Sequence, residues 1–206
     1  ETAAVPAAAV ALDSNPMDAQ NQSGFESRIA EVLAMPHRSD ANRARDKYRH
    51  PAETLSFFGL TDAQTVVEIA PGGGWYTEIL APILNERGHY LAALNDPEKA
   101  ANERAKAYYA KQNGEFEAKF KASPELYGKA AVVLIDAKAP NFGPAGSADL
   151  VLTFRNVHNW LDDDNVDTFM KSFFDALKPG GVLGIVEHRA KPGSKLKASI
   201  DTGYVT

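Results

Sequence analysis

Val66-Val67-Glu68-Ile69-Ala70-Pro71-Gly72-Gly73-Gly74-Trp75 is the stretch that decides the reading of this 206-residue chain. TVVEIA (65–70) is an apolar, β-branched run of the length expected for a buried strand. Three glycines follow. From Trp75 to Asn85 a helical spacing takes over, with Ile79, Leu80, Ile83 and Leu84 inward and Pro82 expected to kink it. Glycine lets the backbone turn sharply and approach a ligand closely, and doubly wound sheets bind ligands at the carboxyl end of their first strand. Glu68 near that edge is placed to accept a bond from a cationic amino group or a hydroxyl. A tight strand-to-helix turn without a ligand is the alternative.

Outward from this run, strand and helix alternate. HYLAAL (89–94), AAVVLI (130–135), DLVLTF (149–154) and VLGIVE (182–187) are strand candidates. Asp96 is expected to cap a long helix through Gln112, with Pro97 at its first position and Gly114 beyond its end. Asn165 to Leu177 carries an apolar helical stripe, and KPGG (178–181) is expected to turn the chain into the last strand. The fold class is therefore α/β, a Rossmann-like, doubly wound and mainly parallel sheet. Upstream, Ser23 and Glu26 have capping-box spacing ahead of Phe25, Ile29, Val32 and Leu33, and Met35-Pro36 ends that helix. Pro51 opens a short helix that stops at Gly59. The expected organisation is a flexible leader (1–22), an N-terminal helical cap (23–60) and a Rossmann-like domain (61–206). That domain is expected to be incomplete at its C-terminus, because the chain stops at GYVT soon after the fifth strand.

Apolar residues make up 44% of the chain, and no apolar run reaches the ~18 residues of a membrane span. A net charge of −5 argues against a dedicated nucleic-acid surface. Arg38, Arg43, Arg45, Lys47 and Arg49, interrupted by Asp40 and Asp46, read as a solvated face. The absence of cysteine removes disulfides and thiolate chemistry. His37, His50, His89, His158 and His188 show no ligand spacing, so no metal site is expected. The Ala-rich start, without an initiating Met, fits what remains after signal-peptide removal, making an exported, periplasmic location the expectation and the cytoplasm the alternative.

The segment 68–74 resembles the first motif of class I S-adenosylmethionine-dependent methyltransferases, an acid followed by G-x-G-x-G. Here Ala70 holds the first glycine's place, which suits an alanine that keeps a negative φ. A nicotinamide fingerprint fits less well, because Thr77 stands where a glycine is needed. The resemblance implies S-adenosyl-L-methionine as cofactor and contacts from Glu68, Ala70, Pro71, Gly72, Gly73 and Gly74. It also implies ribose contacts from Asn95 or Asp96, although Asp96 is explained equally by a helix cap. Asp136-Ala137 resembles the pair beside the adenine, and Arg155-Asn156 falls in the stretch that lines the donor pocket. A narrower resemblance, carried by YRHPAET (48–54), PGGGWY (71–76) and Glu187-His188-Arg189, is to predicted bacterial methyltransferases that often carry export signals. It implies that Tyr48 and His50 lie in a segment closing over the pocket.

Transfer from a sulfonium chiefly requires alignment of the reactants. A hydroxyl acceptor adds a need for a general base, and His158 is the candidate, with Glu187 and His188 also near the pocket. Trp75, Tyr76 and Trp160 are candidate walls for a small-molecule acceptor. A donor-binding or sensory module without turnover, and an NAD-dependent oxidoreductase, are the competing functions.

Overall fold

The structure is a computed structural model that describes residues 16–206, with side chains described from Gly24 onward. In chain order the elements are α1 (Pro16–Ala34), α2 (Asp40–Arg43), α3 (Asp46–Arg49), α4 (Pro51–Phe57), β1 (Thr65–Ile69), α5 (Thr77–Leu84), β2 (His89–Asn95), α6 (Glu103–Ala122) and α7 (Pro124–Tyr127). These are followed by β3 (Ala131–Ile135), β4 (Ala148–Phe154), α8 (Val157–Asp162), α9 (Val166–Ala176), β5 (Leu177–Val186), β6 (His188–Arg189), α10 (Leu196–Ile200) and β7 (Tyr204–Val205).

The main sheet has the order β3-β2-β1-β4-β5, and every pairing in it is parallel. The strand order reverses between β1 and β4, which makes their carboxyl ends the topological switch point. Side chains alternate faces along a strand. Val66, Leu150 and Leu152 accordingly pack with Ile79, Leu80, Ile83 and Leu84 of α5 and with Ile29, Val32 and Leu55 of the N-terminal helices. Val67, Ile69 and Val151 pack on the other face with Phe169 and Phe173 of α9 and with Trp160. Each such fully buried side chain contributes about 1.5–3 kcal/mol through burial. Beyond β5, β6 pairs with β7 in a small separate sheet.

The N-terminal segment is held to α5 by polar chemistry. Pro82 has no N–H for the carbonyl four residues back, and His37 Nε2 donates to that Glu78 carbonyl at 2.7 Å. The Glu78 carboxylate accepts from Asn42 Nδ2 and from Lys119 Nζ of α6, the latter at 2.6 Å. Arg38 has no exposed surface and makes two 2.7 Å bonds to Asp46. The expected solvated basic face holds for Arg45 and Lys47, which are exposed, but not for Arg38, which with Asp46 satisfying its charge is a buried strut.

Three local expectations also change. Helix α1 begins at Pro16, inside the stretch expected as a leader, and residues 1–15 lie outside the described residues. Asp96 caps a short 3₁₀ turn, Pro97–Lys99, by accepting from Glu98 N at 2.9 Å. The long helix starts later, capped by Asn102, and runs through Gly114 to Ala122. KPGG lies within β5, where a register irregularity between Ala148 and Leu150 takes up the turn residues.

Candidate active site

At the switch point β1 ends and the chain bends through Ala70–Gly74. Ala70 has φ +46, not the negative value expected, and Gly72 has φ +58. A left-handed alanine costs about 1–2 kcal/mol. A Cβ placed on Gly72 or Gly73 would meet nothing within 4 Å, so this backbone faces open space. Gly74 differs: at φ +74, a Cβ there would lie 3.2 Å from Phe116 and 3.3 Å from Lys119 and Thr77, so a side chain would both strain the backbone and crowd α6.

Two cavities flank the bend, and Ile69, Ala70, Gly72 and Asn156 line both. The first has a volume of about 740 Å³ and opens between β1, β4, β5 and the N-terminal segment. The second, about 550 Å³, opens over the ends of β2 and β3 and against α6. Both lie in the range of small-molecule sites. Asn156 fixes the ridge between them, donating from Nδ2 to the Ile69 carbonyl at 3.0 Å and to Thr153 Oγ1 at 3.1 Å.

In the first cavity Glu68 is fully buried at the inner wall. Its Oε2 accepts from the Tyr90 hydroxyl at 2.6 Å and from Thr77 Oγ1 at 2.9 Å. Desolvation pushes its pKa up to about 7, against the opposing pull of those hydrogen bonds and of Lys119 and Arg49. Thr77, which spoils a nicotinamide fingerprint, is thus engaged in holding this acid.

Aromatic rings form the opposite side. Tyr76 stacks on Phe154 with centroids 3.5 Å apart, and Trp75 meets Tyr76 edge-on. The Trp75 ring N–H donates to the Asn42 carbonyl at 3.0 Å. Burial pushes the Tyr76 hydroxyl up to about 12. Arg49 lies 4.6 Å over the Trp75 ring, a cation–π arrangement. Tyr48, Arg45, Arg155, His158 and His188 complete the lining. His158 Nδ1 is 3.0 Å from Glu187 Oε2, and both side chains are largely buried at 16% and 10% exposure.

The second cavity is lined by Asn95, Ala137, Tyr109, Gln112 and Trp160 among others. Trp160 stacks on Phe169 at 4.2 Å and therefore walls this cavity, not the first. Five sequence candidates reach neither cavity: Gly74, Asp96, Asp136, His50 and Glu187, the last of which touches the site through His158. Asp136 turns back to accept from Lys138 N at 2.9 Å. The ring of His50, at a left-handed junction with φ +45, sits 3.6 Å from Glu53 on the exposed side of α4. Conversely, the sequence reading missed Arg49, Tyr109 and Gln112. YRHPAET held a clue to the first of these, and the polar residues of α6 held none.

Among the described residues no cluster of His, Cys, Asp or Glu is arranged to hold a metal ion. No described helix is long and apolar enough to cross a membrane.

Comparison with known proteins agrees with this geometry. A comparison with curated proteins finds no match. Among solved structures, an S-adenosylmethionine-dependent methyltransferase from Aquifex aeolicus superposes with a TM-score of 0.52 at 19% identity, covering 82% of this chain and 77% of that one. A protein-L-isoaspartate O-methyltransferase gives 0.53 at 16% identity, covering 81% and 52%. Human N-acetylserotonin methyltransferase, in a complex with S-adenosylmethionine, gives 0.50 at 16% identity, covering 88% and 45%. The chain thus spans about half the length of the latter two, and at these identities the likeness is one of fold. The sequence model of the methyltransferase domain matches residues 67–185, more than half of the chain. This chain belongs to that family, the class I S-adenosylmethionine-dependent methyltransferases.

Proposed function

We propose that the protein transfers a methyl group from S-adenosyl-L-methionine to a hydroxyl of a small molecule held in the first cavity. The observation carrying this reading is the pair of cavities on either side of a bare glycine bend, with His158 on the wall of the first and Glu187 bonded to it from behind.

The residues fit the donor in two parts. The second cavity offers the nucleoside neutral partners, the Asn95 amide and the Trp160 and Tyr109 rings, with Ala137 leaving space. Gly72 and Gly73 leave their backbone bare for the amino-acid part, and Glu68 supplies an acid for its ammonium. When bound, the donor supplies a methyl group already activated by sulfonium charge, so the protein's task is chiefly orientation.

His158 does the proton chemistry. With Nδ1–H donated to Glu187, Nε2 is the basic nitrogen and receives the proton of the acceptor hydroxyl. Glu187 fixes the tautomer and stabilises the imidazolium that forms. This pair favours turnover over a donor-binding module without chemistry.

Titration with S-adenosylmethionine, S-adenosylhomocysteine and NAD tests the reading. Both sulfur compounds should bind and NAD should not. With a methylated hydroxyl acceptor, His158→Ala should lower kcat by about 10²–10⁴ with donor affinity unchanged. Absence of binding by either sulfur compound would remove the proposal, and an unchanged kcat would remove the base.

A further inference from the structure

Arg45, Arg49 and Arg155 reach the first cavity from different parts of the chain: the residue before α3, the end of α3, and the residue after β4. None of them forms a salt bridge among the described residues, whereas Arg28, Arg38, Arg43 and Arg87 all do. Glu68 is the one carboxylate among the lining residues. Its pKa of about 7 leaves it only partly ionised at neutral pH, so at most one negative charge faces three guanidinium groups. Arg49 registers this excess: its pKa is lowered first by burial, and then by the like charges of Arg45 and Arg155. The chain as a whole carries −5, so this concentration of positive charge is local.

Arg155 also sits at φ +64, a backbone region that side-chain-bearing residues rarely adopt. Its N–H donates to the Val186 carbonyl at 2.8 Å, so pairing between the ends of β4 and β5 holds the strained position. Unpaired guanidinium groups around one concave site are suited to an oxyanion, a carboxylate or a phosphate, which they bind bidentately. The donor's own carboxylate occupies one of them at most. Arg49 is the natural partner for it, because it feels the charge of Glu68 at the glycine bend. Arg45 and Arg155, both exposed residues of the lining, are then left without a partner in the donor.

We infer that the acceptor in the first cavity is a small organic anion, a carboxylate or a phosphate ester, whose charged group is held by Arg45 and Arg155 against the aromatic wall of Trp75, Tyr76 and Phe154. The inference rests on the methyl-transfer reading for the identity of the other occupant.

The test is calorimetric titration of the protein, with and without saturating S-adenosylhomocysteine, using benzoate, phenyl phosphate and the neutral isostere benzamide. At least one anion should bind ten-fold or more tightly than benzamide, and which of the two wins separates carboxylate from phosphate. Arg45→Ala/Arg155→Ala should reduce that preference to within about three-fold while S-adenosylhomocysteine affinity stays within two-fold. Arg45→Lys/Arg155→Lys should restore part of it. Equal binding of benzamide and both anions would overturn the inference. So would a ten-fold loss of S-adenosylhomocysteine affinity in the double alanine variant, which would assign the arginines to the donor's carboxylate. If the unsubstituted protein fails to bind S-adenosylhomocysteine at all, the methyl-transfer reading falls, and the anion preference is still scored in the donor-free titration.

Discussion

The first cavity is rimmed by Arg45, Arg49 and Arg155 and walled by stacked rings, whereas the second is lined mainly by neutral amides, tyrosines and Trp160. In the second, Arg104 and Asp163 oppose each other in sign. Both cavities rest on the same bend and the same Asn156 ridge, so the switch point supplies a place to bind but not a preference. The preference comes from what each neighbouring segment brings: the N-terminal segment brings charge to one side, and α6 brings neutral hydrogen-bonding groups to the other. In the assignment proposed above, the first side takes the charged, reacting parts of the occupants and the second takes the nucleoside.

The largest test of this division acts on what the cavities share. Gly72→Val should weaken S-adenosylhomocysteine binding by about 100-fold or more, about 2.7 kcal/mol, because it places bulk on the common floor. Gly59→Val is the control. It carries the same left-handed strain, at φ +73, away from both cavities, and should lower Tm without changing donor affinity. Equal loss in the two variants would mean that strain, not the cradle, governs binding.

A smaller effect should separate the two sides by pH. Glu68 has a pKa raised from 4.5 to about 7, and a donor ammonium favours its ionised form. Donor affinity should therefore rise several-fold to ten-fold from pH 6 to pH 8, and Glu68→Gln should flatten the profile. The same shift contributes to the pH dependence of stability in the donor-free protein. A raised folded-state pKa contributes stability that is fully present below 4.5 and is lost as pH rises through about 7. Denaturation midpoints measured across this window should fall with increasing pH in the natural protein and less so in Glu68→Gln.

On the second side, Asn95→Asp should strengthen binding by roughly three- to ten-fold, since a charge-assisted bond to a hydroxyl is about twice as strong as a neutral one. Adenosine alone should show the whole gain. A gain confined to S-adenosylhomocysteine would break the assignment of this cavity to the nucleoside. The smallest change is expected from Ala70→Gly. It relieves about 1 kcal/mol of left-handed strain, raising Tm by about 2–4 °C, with donor affinity within two-fold.

How much of this was legible in the sequence depends on the range of the interaction. The three central strands could be read because strands covered on both faces are continuous apolar runs, and TVVEI, HYLAALN and ADLVLTF are such runs. The edge strands β3 and β5 also carry apolar runs, although Val132, Leu134, Val182 and Ile185 stay exposed. The glycine bend could be read because its residues are consecutive. The span 96–114 was misread for a local reason. Asp96-Pro97 is a good helix start that the chain uses for a single 3₁₀ turn, and Gly114 is carried inside a twenty-residue helix, where it costs about 1 kcal/mol without ending it. The pairings that hold and line the site are less local. Arg38 with Asp46, His158 with Glu187 and Arg49 over Trp75 each depend on where the fold brings a segment, and no spacing in the chain encodes that. A run of arginines between acids looks the same whether it ends in water or against a ring.

Glu78 carries a consequence that reaches past the site. The carboxylate takes Asn42 from the N-terminal segment on one side and Lys119 from α6 on the other, and Lys119 Nζ also donates to the Gly73 carbonyl at 3.0 Å. The cover over one cavity and the wall of the other are therefore bolted to a common post, and that post is tied to the bend beneath both. A displacement of the N-terminal segment that strained the Asn42–Glu78 bond would load α6 and the glycine bend as well, coupling the two sides of the switch point through one carboxylate.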